Sequence, residues 1–576
     1  MRGGTLLSQQ LTASLLIESL QRAGISYIFS NLGSDHPGLI ETLAQKHRAG
    51  EPAPQVIICP HEMVALSAAM GYTQLTGKPQ AVFVHVDSGT LNLGGAISNV
   101  ARTRIPVLII AGKTPYTLEG ELFGSRNRPV NHIQDVIDQA SIVRPYVKWE
   151  YDIRTGHHVQ QVIYRGLQIA ASDPKGPVYI TGAREVLEET VNKEIIEYAG
   201  WNPVEPPQIS QDVIQTLVQD LVQAKHPLII TSYLGRNPEA VHQLVALSER
   251  LAIPVVEASR TYMNYPANSP LHWGYQSEPY LDEADLILVI DSDVPWMLSQ
   301  KTPSKNCKVY YFDVDPLKEN LPLWYIPSTK FYRVDSFILL QQLNQALQNI
   351  SIDQEQRDQR YQHALGVHQE QRQTWQKEIK LDGDVITPEW LTACLNEVLD
   401  EEAIIVDETI TNAGVVAKHL PRTKPGTFIT NGGAALGFNG GAAIGAKLAH
   451  PEKTVVSLTG DGSYYFSVPS TVHWMARRYQ TPFLTVIYNN QGWNATKQNV
   501  LRLYSDGAAK QSDAYWVEFQ QPSDLAKIAE AAGGAYAETV FQPDQLKQAL
   551  QKGLEEVNRG RSAVIDVRLA PISKGV

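Results

Sequence analysis

A chain of 576 residues exceeds what one hydrophobic core can organise and should divide into about three or four domains. Apolar residues at 43%, charged residues at 19% and no low-complexity tract exclude a disordered chain. A net charge of −11, with no basic stripe interleaved with aromatics, speaks against nucleic acid as a partner, and no apolar run approaches the roughly 18 residues of a membrane span.

In chain order, the helical pattern Leu11 to Leu20 carries Glu18 and Ser19 and lacks the basic and long apolar regions of a secretory signal. Apolar β-branched runs then alternate with helical patterns: Gln55 to Ile58, Ala81 to Val84, Val107 to Ile110 and Val178 to Ile180. This is the rhythm of a parallel α/β layer. Within it, Asn31 to Asp35 is a Gly-containing turn. Cys59 to Gly71 places Glu62 at the start of a helix with small apolar faces; taken alone, such an acid is a first-turn residue favoured by the helix dipole. Val84 to Asn92 is a strand end and turn carrying His85, which by itself could be a satisfied structural histidine. Arg126 to Asp135 is a polar loop, either at a substrate entrance or plain surface.

The Pro-rich stretch Trp201 to Pro207 reads as a linker. The rhythm restarts with Pro227 to Thr231, Ile253 to Val256, Leu286 to Ile290 and Val309 to Asp313, where Gly235 and Gly274 stand isolated and form no clustered phosphate loop. Residues 351–380, dense in Gln, Arg, Asp and Glu, read as a solvated helical connector. A third rhythm follows in Ala403 to Val406, Thr454 to Leu458, Phe483 to Ile487 and Ala563 to Val567. The expected architecture is three doubly wound α/β domains with mainly parallel sheets, over residues 1–190, 205–350 and 380–576. Cys59, Cys307 and Cys394 are scattered and show no metal or disulfide spacing, which suits a reducing cytoplasm.

The third unit carries the most specific chemistry. One strand runs into Gly460, Asp461 and Gly462, followed by Ser463, and the next runs into Asn489, Asn490 and Gly492, with 26 residues, 463–488, between Gly462 and Asn489. Open α/β sheets bind ligands at the carboxyl ends of their strands. The glycines let backbone approach a phosphate, and Asp461 and Asn490 offer hard oxygens of the kind Mg2+ takes together with phosphate oxygens. Together they read as a clamp for a metal-bound diphosphate. Upstream, Asn431 to Gly445 is a loop entering a small-residue helix whose glycines also suit close helix packing, and Asp407 to Thr409 ends the preceding strand.

In these motifs the chain resembles thiamine-diphosphate (ThDP) enzymes of the pyruvate-oxidase-like group, which contains benzoylformate decarboxylase, acetolactate synthase and pyruvate decarboxylase. The resemblance covers essentially the whole chain. It implies the ThDP-binding fold, with ThDP and Mg2+ as cofactors. Asp461, the Asn490 side chain and the Gly492 carbonyl would hold the metal, with Gly460, Gly462 and Ser463 beside the diphosphate. Leu436 stands where the family has the large apolar residue that bends the cofactor, and Glu408 and Thr409 belong to its other cofactor-contacting turn. Glu62 falls where these enzymes carry the glutamate that hydrogen-bonds N1′ of the aminopyrimidine.

His85 matches an active-site histidine of benzoylformate decarboxylase, where acetolactate synthases usually have a small or apolar residue. Ser34 falls where that decarboxylase holds the substrate carboxylate. Asp35, His36, Val86 and Asp87 depart from the family pattern, and Asp35 and His36 would line the same pocket. Trp296 and Met297 stand near the place of a second catalytic histidine, which has no counterpart here. Some relatives bind FAD or a nucleotide in the central domain; the isolated glycines argue against a functional flavin.

The implied activity is decarboxylation of a small-molecule 2-oxo acid through an enamine/carbanion, with release of an aldehyde. The alternative is acetolactate-synthase-like carboligation onto a second carbonyl. A catalytically silent binding homologue is a third reading, opposed by the retention of Glu62, Asp461 and Asn490. The family also implies a homodimer whose sites are each shared between the first unit of one chain and the third of its partner, with dimers pairing into a homotetramer.

Overall fold

The computed structural model of the protein describes residues 9–192, 194–381, 383–519 and 523–572. Three sheets carry the architecture, and every pairing within them is parallel. The first contains β1 (Tyr27–Ser30), β2 (Gln55–Ile58), β3 (Gln80–Val84), β4 (Val107–Lys113), β5 (Trp149–Ile153) and β6 (Val178–Ala183), in the spatial order β2-β1-β3-β4-β6-β5. The second contains β7 (Pro227–Thr231), β8 (Val255–Glu257), β9 (Leu286–Ile290), β10 (Lys308–Asp313) and β11 (Lys330–Arg333), ordered β8-β7-β9-β10-β11. The third contains β12 (Ile404–Glu408), β13 (Phe428–Ile429), β14 (Val455–Gly460), β15 (Leu484–Asn489), β16 (Tyr536–Val540) and β17 (Ala563–Arg568), ordered β13-β12-β14-β15-β17-β16. These are the three doubly wound α/β domains expected.

The central strands behave as their composition dictates. A run such as Leu286–Ile290 is buried at every position and has no polar face to offer water. It needs cover on both sides, which parallel crossovers supply. The strands missing from the sequence reading are mostly edges: Trp149–Ile153, Lys330–Arg333 and Tyr536–Val540 mix apolar with charged or polar residues and are only partly buried. The charged connector forms a 25-residue helix, Gln354–Glu378, in which only Ala364 and Trp375 are buried.

By internal packing the chain forms two compact units. One gathers the described residues of Met1–Glu205 with Asn431–Pro451 and Tyr465–Thr481; the other gathers Pro206–Thr430, Glu452–Tyr464 and the described part of Pro482–Val576. The first unit is closed by a seam between helix α1 (Glu62–Thr76) and helix α2 (Phe438–Ala449). A Cβ on Gly71 would lie 2.4 Å from the Ala442 carbonyl oxygen, and one on Gly445 would lie 2.1 Å from that of Ala68. Glycine at both positions is what lets the two backbones meet. Among the described residues no helix is long and apolar enough to cross a membrane.

Candidate active site

The candidate residues form two clusters, one in each unit. In the first, His61 caps α1, its Nδ1 accepting from Met63 N at 3.2 Å, and so fixes Glu62 at the first helical position. Glu62 is only 4% exposed. Its Oε1 accepts from Asn31 Nδ2 at 2.9 Å and lies 3.2 Å from where a Cβ on Gly89 would stand, so the turn following His85 presses against this carboxylate.

His85 follows the last residue of β3. Its Nδ1 lies 2.5 Å from Asp35 Oδ1, and Asp35 Oδ2 accepts from Val86 N at 3.2 Å. Val86 has φ +27°, uncommon for a β-branched residue, at the point where the strand breaks into the turn. The hydrogen bond His85 donates to Asp35, working against partial burial, raises the His85 imidazole above the ordinary histidine range. One loop, residues 31–36, therefore supplies both Asn31 to Glu62 and Asp35 to His85. The polar loop ending at Asp135 reaches the same place: Gln134 Nε2 lies 3.3 Å from His85 Nε2 and 3.3 Å from Ser88 Oγ. Ser34 is exposed, and its carbonyl accepts from Arg184 Nη1 at 3.3 Å.

Leu436, half-buried, is presented by a turn that ends on Gly437 at φ +96°, where a Cβ would fall 2.4 Å from the Phe466 carbonyl oxygen. Asn99 holds the approach to that turn at both ends of its amide: Nδ2 donates to Ala435 O at 2.8 Å and Oδ1 accepts from Ala435 N at 3.0 Å. Nothing in the local sequence around Asn99 marks this role, because its partner lies 336 residues away.

In the second cluster, β14 ends at Gly460 and β15 at Asn489, so the two motifs emerge side by side from paired strands. Asp461 and Ser463 are buried. Asp461 Oδ2 accepts from Gly492 N at 2.9 Å. Burial raises the Asp461 carboxyl to about 6 despite the backbone N–H groups around it, and among the described residues no cationic side chain offsets its charge. Asn490 Oδ1 is buried with no hydrogen-bond partner. The Gly492 carbonyl accepts from Asn494 N at 3.1 Å and keeps a second lone pair. A carboxylate lacking a counter-charge beside an orphaned carbonyl oxygen is a donor set that fits a hard divalent cation.

Asn489, one residue before the orphaned side chain, sets the turn: its Nδ2 donates to Asp566 Oδ1 at 2.8 Å and its Oδ1 accepts from Gln491 N at 3.2 Å. Arg568 Nη2 lies 3.0 Å from the other Asp566 oxygen. Burial raises the Asp566 carboxyl to about 6, against the Asn489 hydrogen bond and the Arg568 charge. The Trp493 ring covers Gly462 so closely that a Cβ there would stand 2.1 Å from it. In the turn after β12, Asp407 Oδ1 accepts from Thr409 N at 3.0 Å and Thr409 Oγ1 at 2.8 Å, and Glu408 is buried.

Trp296 and Met297 line a cavity of about 390 Å3 with Arg260, Gln300, Asp407 and Thr430, and no histidine is among the described residues lining it. At the carboxyl ends of β7, β9 and β10, Lys318 is fully buried. Its Nζ lies 2.6 Å from Asp313 Oδ2, 2.7 Å from Asp293 Oδ1 and 2.9 Å from the Tyr233 hydroxyl.

Three parallel α/β sheets, a buried glutamate opening one small-residue helix and an oxygen-lined pair of strand-end turns define a cofactor-dependent enzyme that handles a diphosphate. Comparison with known proteins agrees. The description "Thiamine pyrophosphate enzyme, N-terminal TPP binding domain" matches residues 11–142, the central domain of the same enzymes matches residues 214–321, and their C-terminal TPP binding domain matches residues 409–567. The chain belongs to the thiamine pyrophosphate enzyme family. It is 26% identical to the acetolactate synthase large subunit of Haemophilus influenzae, over 95% of this chain and 92% of that protein, and 26% identical to the acetolactate synthase isozyme 3 large subunit of Escherichia coli K12, over 96% and 94%. Among solved structures, a thiamine diphosphate-dependent 4-hydroxybenzoylformate decarboxylase from Rhodococcus jostii RHA1 shares the fold with a TM-score of 0.78 at 22% identity, covering 98% of this chain and 99% of that one. Benzoylformate decarboxylase from Polynucleobacter necessarius does so with a TM-score of 0.78 at 19% identity, covering 98% and 100%.

Proposed function

We propose that this chain is a Mg2+-dependent ThDP enzyme that decarboxylates a 2-oxo acid and releases an aldehyde. Bound ThDP supplies a carbon nucleophile and an electron sink for the bond beside the 2-oxo carbonyl. Asp461, the Asn490 side chain and the Gly492 carbonyl hold the metal; Gly460, Gly462 and Ser463 border the diphosphate; and Leu436, Glu408 and Thr409 are further cofactor contacts. Glu62 hydrogen-bonds the pyrimidine and sets its proton distribution, while Ser34 meets the substrate carboxylate.

The observation that carries the decarboxylase reading is His85. An imidazole tied at Nδ1 to a buried carboxylate, beside the glutamate's own loop, is equipped to deliver a proton at Nε2 to a product carbon. The rival reading, carboligation onto a second carbonyl, is favoured by the full-length likeness to acetolactate synthases and by the cavity at Trp296, which lacks a histidine. Incubating the protein with ThDP, Mg2+ and a panel of 2-oxo acids and identifying the products separates them: aldehyde supports the first, hydroxyketone the second, and no turnover on any acid defeats both.

The central domain is read as flavin-free. Lys318 is buried against Asp313 and Asp293 at the strand ends, and Gly235 packs against the Met263 carbonyl. The working unit is read as a homodimer with shared sites, pairing into a tetramer. The three free cysteines support a reducing compartment, the cytoplasm.

A further inference from the structure

We infer that Asp35 is a positioning residue for His85: it fixes which ring nitrogen carries the shared proton and turns Nε2 outward for chemistry. This rests on the proposed role of His85 and adds a residue that departs from the family pattern.

The geometry is built for the pair. Asp35 is 3% exposed, and both its oxygens are engaged on the same strand end, Oδ1 by His85 Nδ1 and Oδ2 by Val86 N. The pocket that holds it is cleared by two glycines. A Cβ on Gly112 would lie 1.4 Å from Asp35 Oδ2, and one on Gly33 would lie 2.1 Å from His85 Nδ1 and 2.7 Å from Asp35 Oδ1. Only a chain without side chains at both positions accommodates the carboxylate and the ring together. With Nδ1 turned inward, Nε2 faces outward on a ring whose side chain is 23% exposed, and Gln134 is its neighbour there.

A carboxylate at Nδ1 both holds the tautomer and stabilises the charged ring. The other ionisable groups around the pair are His36, whose Nδ1 lies 3.0 Å from the same Asp35 oxygen, Asp87 on the turn after His85, and Glu62 across Gly89. Asp87 acts on His85 in the same direction as Asp35, and His36 Nδ1 also accepts from Gly33 N at 3.1 Å. Replacing Asp35 by Asn keeps the shape and removes the charge, so the fraction of enzyme with a protonated His85 should fall at neutral pH.

The test uses the ThDP- and Mg2+-loaded enzyme with the best 2-oxo acid of the panel. H85A first checks the underlying reading: wild-type turnover in H85A would end the role of His85 and this inference with it. If H85A is impaired, D35N should lower kcat by about 10²-fold with KM and ThDP affinity little changed, and should move the alkaline limb of the kcat profile down by about one pH unit or more. The imidazole 15N shifts of His85 should titrate at correspondingly lower pH. G112A, which touches neither ring nor substrate, should reproduce the limb shift by displacing the carboxylate. A D35N enzyme that loses thermal stability and activity in parallel while its pH limb and His85 titration stay in place would make Asp35 structural only, leaving the role of His85 intact.

Discussion

Replacing Asp461 by Asn should act on the cofactor-free and the loaded protein with opposite signs. In the cofactor-free fold, burial raises the carboxyl from an ordinary 3.8 to about 6. The folded protein therefore keeps this proton up to about pH 6 while the unfolded chain releases it near pH 4, so stability falls as pH rises through that window and stays lower above it. A shift of about two pKa units corresponds to about 3 kcal/mol borne at pH 7.5. Asn removes that cost, but its amide must turn one N–H toward backbone donors such as Gly492 N, which returns about 1–2 kcal/mol. The net expectation is a cofactor-free D461N protein at least as stable as wild type above pH 6. With Mg2+ and ThDP at 100 times their Kd, wild type should gain about 2.7 kcal/mol, and D461N should gain almost none. Urea or thermal unfolding of both proteins, with and without Mg2+ and ThDP, reads all four values. A cofactor-free D461N less stable by more than about 2 kcal/mol, with the ligand-induced gain intact, would show that Asp461 is a structural acid and not a metal ligand.

A methyl on Gly462 must push the Trp493 ring away, so G462A should weaken ThDP binding by about tenfold or more in a calorimetric titration while the fold survives; unchanged affinity would remove this turn from the diphosphate site. E62Q can still accept from Asn31 and should unfold within about 0.5 kcal/mol of wild type, yet lose about 10²-fold or more in turnover; full activity would dismiss the glutamate. N489A severs the link to Asp566 and should cost about 1–3 kcal/mol in denaturant unfolding and weaken Mg2+ binding, and a normal metal affinity would mean the turn needs no brace.

The metal-side cluster was legible because its parts lie at strand ends and adjacent strands are neighbours: Gly460 pairs with Tyr488, so two motifs 26 residues apart converge without further information. Glu62, His85 and the turn at Asn31 were each visible as isolated features that only the family resemblance placed in one pocket; the direct contacts among them were not visible. Asp35 and His85 stand 50 residues apart on different strand ends, and only the spatial order β1-β3 makes them neighbours. Asn99 and Asp566 were invisible for the same reason, since a hydrogen bond between distant segments leaves no periodicity. Gln134 sat in a loop that the sequence allowed to be either surface or entrance. Burial of Glu408 is decided by packing around a strand end, which a three-residue motif does not record.

The seam between α1 and α2 decides how a shared site can be tested. Glu62 opens α1; Leu436 precedes α2, and Asp461 follows it closely in sequence. The contacts at Gly71 and Gly445 are helix on helix and would be the same whether the helices came from one chain, as in the first unit, or from two. Intrachain closure gains effective concentration through the connecting residues, whereas a twofold dimer gains two equal seams at once. Lesions at Glu62 in the first unit and at Asp461 in the second distinguish the two. If chains exchange partners in a domain-crossed dimer, mixing inactive E62Q with inactive D461A yields mixed dimers in which one site collects both lesions and the other none, so activity returns to as much as half of wild type per mixed dimer. If each chain closes its own seam in the working enzyme, every site in the mixture keeps one lesion and the activity stays lost. With exchange verified by differently tagged chains, the absence of recovery refutes the shared-site dimer while leaving the roles of Glu62 and Asp461 untouched, because each single variant is already inactive on its own.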